Sequence, residues 1–233
     1  MWKVISPRIC RESAATLEHT LNLLYPMEEN VKINWGNSSF STNDPREVFG
    51  NKTEAVFRSA RKDIFFKLCK KMGTVPVITE FDGPCFQHHD SAGHNGSGIK
   101  YVANQEEFIP GLLATKQIKG NEYRVYFCYD MVPQIYMKVP LSEDTPANPI
   151  QNSHNGYGYL RNPPSLKKIE NLKEILLSST KEVADKLELS YGAIDFIVST
   201  DYTVYILESN SAPTLLSEEL VDGFAEQIAR RFV

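Results

Sequence analysis

Three oxygen-bearing side chains near the C-terminus, Asp195, Glu208 and Asn210, carry the clearest chemistry in this 233-residue chain. They lie in Gly192-Ala193-Ile194-Asp195-Phe196-Ile197-Val198, Ser199-Thr200-Asp201-Tyr202 and Thr203-Val204-Tyr205-Ile206-Leu207-Glu208-Ser209-Asn210. β-Branched and aromatic flanks around turn chemistry predict a β-hairpin. A turn centred between Asp201 and Tyr202 makes Asp195 and Glu208 cross-strand partners, with Cβ atoms roughly 5 Å apart. Asn210 lies two residues past Glu208 and so shares its face. Like charges directly opposed are destabilising unless a cation sits between them. Asp, Glu and Asn together form a hard oxygen set that suits Mg²⁺. The plainer alternative makes Asp195 a buried acid paired with an arginine and Glu208 a strand-end residue. Three oxygen ligands on one predicted face favour the metal. Arg124 and Lys138, on a neighbouring predicted hairpin, read as salt-bridge residues.

A second feature is the polar loop Gln87-His88-His89-Asp90-Ser91-Ala92-Gly93-His94-Asn95-Gly96-Ser97-Gly98. Its glycines let backbone N–H groups approach a phosphate and form an anion nest. It is neither a Walker A loop nor a dinucleotide fingerprint, and a plain hairpin loop is an equal reading. His88 and His89 have the chemistry of metal ligands, although exposed loop histidines are usually solvated. Lys62 falls off the 56/60/64/68 stripe of a predicted helix, where it reads as an exposed lysine.

The elements that must position these groups follow from periodicity. Residues 12–24 form a short helix and 31–36 a strand. Residues 54–72 form one longer helix, with Val56, Ala60, Ile64, Leu68 and Met72 repeating every four and Gly73 ending it. Strands follow at 75–81 and 99–102, with a short helix at 104–113. Residues 122–129 alternate cleanly, and 134–139 supply their hairpin partner. Residues 140–164 are proline-rich loop, 166–187 a helix, and a last helix starts near Ser217. This mixture is α+β rather than doubly wound.

Composition narrows the class. A content of 42% hydrophobic and 23% charged residues fits a globular chain. A net charge of −4 gives no support to nonspecific nucleic-acid binding. No run approaches the roughly 18 apolar residues of a membrane span. Arg8, Arg11 and Glu12 stand where a signal peptide needs an apolar core. Cys10, Cys69, Cys85 and Cys128 are scattered, which fits reduced thiols and a cytoplasmic location. The Asn-x-Ser/Thr triplets at Asn37, Asn51 and Asn95 are read as chance matches.

The order of the motifs resembles the ATP-grasp superfamily, in particular small enzymes similar to ribosomal-protein glutamate ligases, including phage forms. The likeness runs from about Asn51 to Leu215. It rests on a helix lysine followed by Gly73-Thr74-Val75-Pro76, the glycine-rich loop, Lys116-Gln117-Ile118-Lys119-Gly120-Asn121-Glu122-Tyr123-Arg124-Val125, and the hairpin ending Leu207-Glu208-Ser209-Asn210-Ser211-Ala212-Pro213. The resemblance implies two α+β lobes with ATP held between them. It implies a short N-terminal segment at 1–44 and an ATP-grasp domain at 45–233, with a lid lobe at about 75–115 and a metal-binding lobe at 116–233. Lys62 then reaches the phosphates, and Gly93, Gly96, Ser97 and Gly98 cover them as a lid. Lys116, Gln117 and Ile118 hold adenine, with Glu122 among the nucleotide contacts. Arg124 and Asn152 face the reacting centre. Asp195, Glu208 and Asn210 hold Mg²⁺, two ions in the family pattern, with Mn²⁺ as an alternative.

Two departures stand out. The family's basic residue before the lid is absent from Pro84-Cys85-Phe86-Gln87-His88, leaving His88, Lys100 or Arg161 to substitute. Its arginine before Asn152 is Gln151 here. The function implied is an ATP- and Mg²⁺-dependent ligase joining a carboxylate (small molecule, peptide or protein) to an amine through an acyl phosphate. The alternatives are a catalytically weakened nucleotide-binding module and a phosphoryl transferase on the same fold.

Overall fold

A computed structural model of the chain describes residues 1–28, 30–39, 48–90, 98–145 and 149–231. Gly93, Gly96 and Ser97 of the expected lid lie outside the described residues. The chain opens with β1 (Trp2–Ile5), α1 (Arg11–Leu24), β2 (Val31–Asn34) and β3 (Val48–Gly50). The three strands form a parallel sheet in the order β1-β2-β3. Helix α1 buries Ala14, Leu17 and Leu21, spaced three and four apart along one stripe.

The single helix expected at 54–72 is instead two, α2 (Thr53–Ala60) and α3 (Lys62–Cys69), separated by an extended Arg61 at φ −90°, ψ 104°. Their buried residues include 55, 59, 62, 66 and 69. Within α2 the step is four, and within α3 it is four and then three, as a helix face requires. The stripe contains Ala, Ser, Lys and Cys, so counting apolar residues at a fixed step of four overlooked it. Lys62 therefore lies on the inner face, 8% exposed, and not in solvent.

A four-stranded antiparallel sheet follows, ordered β4-β7-β5-β6: β4 (Val77–Ile78), β5 (Cys85–His88), β6 (Ile99–Val102) and β7 (Leu113–Lys116). Residues 104–113 hold only a 3₁₀ turn, Gln105–Glu107, rather than the expected helix. Gln87 and His88 belong to β5, not to the polar loop. The Gln87 side chain is fully buried and bonds both backbone groups of Ile109, at 2.7 and 3.0 Å.

The largest sheet is ordered β10-β9-β8-β11-β12 and is antiparallel throughout. Its strands are β8 (Gly120–Cys128), β9 (Gln134–Pro140), β10 (Tyr157–Arg161), β11 (Tyr191–Ser199) and β12 (Val204–Asn210). Strand β10 lies inside the stretch expected to be loop. Between β10 and β11 run α4 (Ser165–Lys168) and α5 (Leu172–Leu187), and after β12 comes α6 (Glu218–Ala229). The helix expected at 166–187 is broken before Leu172 by Asn171, whose φ is +55°. Ser217 caps α6 by accepting a hydrogen bond from the Leu220 N–H.

The two faces of this sheet build two cores. Tyr123, Val125, Phe127, Ile194 and Phe196 pack with Leu172, Leu176 and Val183 of α5 and with Phe65 and Phe66 of α3. On the opposite face Tyr126, Cys128, Tyr136, Tyr191 and Ala193 pack with the N-terminal layer and α6. That second face is apolar only along half its length. Among the described residues no helix is long and apolar enough to cross a membrane.

Candidate active site

The other half of the second face is charged. Asp195 pairs with Glu208 across β11 and β12, and with Arg124 across β11 and β8. The facing of the two acids matches the sequence expectation, but the route differs. Phe196 pairs with Ile206 and Val198 with Val204, so the turn centres on Asp201. Tyr202 adopts a left-handed φ of +67° there. A bulge then skips Leu207 and brings Glu208 opposite Asp195.

Each acid has a cationic partner. Arg124 grips Asp195 through two hydrogen bonds of 2.6 Å, Nε to Oδ1 and Nη2 to Oδ2, the strong bidentate form of this pair. Its guanidinium also stacks over Tyr159, 5.1 Å from the ring centre. Lys62 reaches Glu208, and Lys138 reaches Glu122, each through an ion pair. Asn210 donates its amide to Asp195 at 3.3 Å. The arginine partner that the plainer reading required for Asp195 is therefore present, alongside the facing acids. Burial opposes ionisation of Glu208, but the Lys62 ammonium, then Arg124 and Lys138, outweigh it and hold the carboxyl well below its usual range. Burial pushes the Glu122 carboxyl up, against the pull of Lys138.

Beside this charged row a cleft of about 420 Å³ opens between the four-stranded sheet and the five-stranded one. Lys116, Gln117, Ile118 and Glu122, all singled out from the sequence, line it together. Phe86, Tyr101, Thr115, Ile197 and Leu207 supply further walls that the sequence reading did not single out. Gln151 reaches the same cleft. The size and the mostly apolar walls with a few polar groups are those of a small-ligand site. Glu122 belongs to both regions, since it lines the cleft and pairs with Lys138.

The remaining candidates are placed differently. Asn152 caps a 3₁₀ turn by accepting the Asn155 N–H at 3.0 Å. Arg161 pairs with Glu219 at the head of α6 rather than with the Asp195 group. Lys100 pairs with Glu107 at 3.0 Å, and both side chains are largely exposed. Gly98 has a φ of +73°, and its carbonyl accepts the His89 backbone N–H at 2.7 Å. His88 is buried on β5 with Nδ1 unpartnered. Tyr159 went unnoticed in the sequence. The alternation Tyr157-Gly-Tyr159-Leu-Arg161 is its only signal.

No family model and no curated protein sequence matches the chain. Solved structures do. D-alanyl-alanine synthetase A from Vibrio cholerae is similar with a TM-score of 0.68 and 14% identity, over 97% of this chain and 92% of that one. D-alanine–D-alanine ligase from Bacillus anthracis, complexed with ATP, has a TM-score of 0.62 and 15% identity, over 99% and 96%. The ATP-grasp ligase PsnB, complexed with a minimal precursor, has a TM-score of 0.58 and 13% identity, over 80% and 64%. The chain has the ATP-grasp fold, in agreement with the α+β class and the superfamily resemblance read from its motifs.

Proposed function

We propose that this protein is an ATP-dependent ligase that joins a carboxylate to an amine through an acyl phosphate. The observation that carries this is the continuity, through Glu122, of a nucleoside-sized cleft with a row of three carboxylates and three cations. A substrate carboxylate oxygen attacks the γ-phosphorus of ATP, the bond to the β–γ bridging oxygen breaks, and ADP leaves. The amine then attacks the acyl carbon, phosphate departs, and the nitrogen loses its proton. Neither step needs a protein nucleophile. The protein's task is to position the reactants and stabilise charge.

Phe86, Ile118, Ile197 and Leu207 receive the base, with Lys116 and Gln117 at its edge. Lys62 and Arg124 turn positive charge toward the phosphates. Asp195, Glu208 and Asn210 fit a magnesium ion, because all three offer hard oxygens and Glu208 is held ionised. One or two Mg²⁺ ions there, or Mn²⁺, would neutralise phosphate charge as the γ-phosphoryl moves. Tyr159, stacked on Arg124, fixes the guanidinium plane toward Asp195.

The test is ADP release in the presence of ATP, Mg²⁺ and a panel of acids and amines. Glu208→Gln is expected to abolish it while leaving the circular dichroism spectrum unchanged. An unaltered rate of ADP release in that variant rules the proposal out. The presence of Gln151 and of a buried His88, where the resembled enzymes carry basic residues, favours a second reading as a non-catalytic nucleotide-binding module. ATP binding without turnover across the whole panel supports that reading. A stable phosphorylated product without an amide would indicate a phosphoryl transferase.

A further inference from the structure

The corner between α2 and α3 carries a second cavity. It measures about 370 Å³ and is lined by Ser38, Thr53, Glu54, Phe57, Arg58 and Ile64. None of these residues lines the cleft or belongs to the charged row. Lys62 and Ile64 are two residues apart on α3, so they point about 200° apart around its axis. Lys62 reaches inward to Glu208, and Ile64 looks outward into the cavity.

Phe57 is the apolar anchor of this corner. Its side chain is 43% exposed, yet the ring is held in place. Arg61 sits over it, 5.7 Å from the ring centre, and Asp63 grips the Arg61 guanidinium through hydrogen bonds of 3.0 and 3.1 Å. A ring already held costs little entropy to cover. Arg58, on the rim, is tied to Glu188 at 2.7 Å.

The surround is cationic, although the whole chain has a net charge of −4. No acidic residue occurs between Asp63 and Glu80, whereas Lys67, Lys70 and Lys71 do. All three lysines are exposed, and they form no ion pair among the described residues. Lys67 and Lys70 lie about 5 and 9 Å along the α3 axis from Ile64. The charge thus runs on past the cavity, over the length of about three extended residues. A compact ligand reaches only one of these features, and a peptide reaches both.

We propose that this corner docks an acidic peptide segment bearing one large apolar side chain. The apolar group enters beside Phe57 and Ile64, and the flanking carboxylates meet Lys67, Lys70 and Lys71. Glu54 keeps negative charge out of the cavity mouth, so the acids must lie outside it. A peptide offers that spacing, and a nucleic-acid strand, charged at every nucleotide, does not. Resting on the ligase reading above, the docked segment is the carboxylate substrate. It carries the group to be activated, and about four extended residues span the thickness of α3 toward the charged row.

Fluorescence anisotropy with a labelled peptide of six glutamates around one phenylalanine, in the absence of ATP, tests the docking. The native protein is expected to bind it, more weakly as salt rises. Peptides with alanine for the phenylalanine, or lysines for the glutamates, should bind about tenfold less well or worse. Phe57→Ala is expected to cost about tenfold and Lys67→Glu several-fold. Val132→Ala, at an exposed position between β8 and β9, should change nothing. With the same peptide as the acid in the ADP-release assay, Phe57→Ala should raise its KM and leave kcat and the KM for ATP unaltered. Affinity indifferent to the phenylalanine or to the peptide's charge overturns the proposal. So does unchanged binding in both Phe57→Ala and Lys67→Glu, or a single-stranded oligonucleotide of equal charge taking the peptide's place. Peptide docking with no ADP release for any acid keeps the docking site and removes the ligase reading. ADP release with small acids and no peptide binding does the reverse.

Discussion

At the scale of single residues, chemistry was legible where a pattern constrained it. The hairpin of Asp195, Glu208 and Asn210 was legible from its alternation and the turn residues Ser199–Tyr202, but the facing of Asp195 and Glu208 depends on a bulge that offsets a turn centred one half-step earlier than the pattern suggests. Lys62 and His88 were not placed. Each is a polar residue buried by tertiary contacts, and local sequence carries no signal for that. His88 gives a testable consequence. Burial and the nearby Lys62 push its pKa down to about 4 from the ordinary 6.5, so between these values the unfolded chain binds the proton and the native chain does not. Stability then rises with pH across that window, and is lost as pH falls from about 6.5 through 4. The contribution is of the order of 3 kcal/mol. Urea unfolding at pH 7 and pH 5 should show part of this loss in the native protein. In His88→Asn that part of the pH dependence should be absent.

At the scale of elements, the long alternating strands β8, β11 and β12 were readable, and so were α1 and α6. The failures have several causes. Strands β1 and β5 have four residues each, a length at which a period is marginal: β2 and β6, equally short, were readable, whereas β5 runs into the polar loop and merged with it. Strand β10 contains Gly158 in a proline-rich surround, a poor strand signal. The break at Arg61 involves no proline or glycine, so no residue type announces it. The bulge in β12 was invisible as well, yet it shapes the site. Ile206 enters the core, Leu207 lines the cleft and Glu208 joins the charged row. A regular strand serves only two faces, and the extra residue provides a third direction. Deleting Leu207 should therefore regularise the ladder and keep Asp195 opposite the glutamate. It should weaken adenosine binding several-fold with little change in thermal midpoint. Loss of the cooperative melt in that variant would show that the bulge is needed for folding itself.

At the scale of the whole molecule, the N-terminal segment is not an appendage to the rest. Trp35 stacks on Tyr191 with ring centres 5.2 Å apart and meets Phe224 edge-on at 5.8 Å. Asn51 ties the same junction together. Its amide donates to the carbonyls of Tyr191 and Ser211 at 2.9 and 3.2 Å, and its Oδ1 accepts the Ser190 N–H at 2.8 Å. It is 1% exposed, so its Asn-Lys-Thr triplet is inaccessible to glycosylation in the folded chain. Asn51→Ala strands several buried backbone groups and should destabilise the protein by about 3 kcal/mol or more. Both tryptophans, Trp2 and Trp35, lie in this shared core. Their fluorescence and the far-ultraviolet dichroism should change at one denaturant concentration. Separate midpoints would show that residues 1–44 unfold independently.

The half-apolar, half-charged face of the large sheet also acts as a guard on strand register. An alternating strand resists slipping by one residue, since that turns its core side outward. A slip by two keeps every side chain on its proper side and ordinarily escapes that check. Here it does not. Moving β11 by two along β8 sets Asp195 against Glu122 in one direction and against Tyr126 in the other. Arg124 then faces Ala193 or Ile197, and its bidentate partner is lost. The groups proposed to handle ATP thus also proofread the assembly of the sheet that carries them.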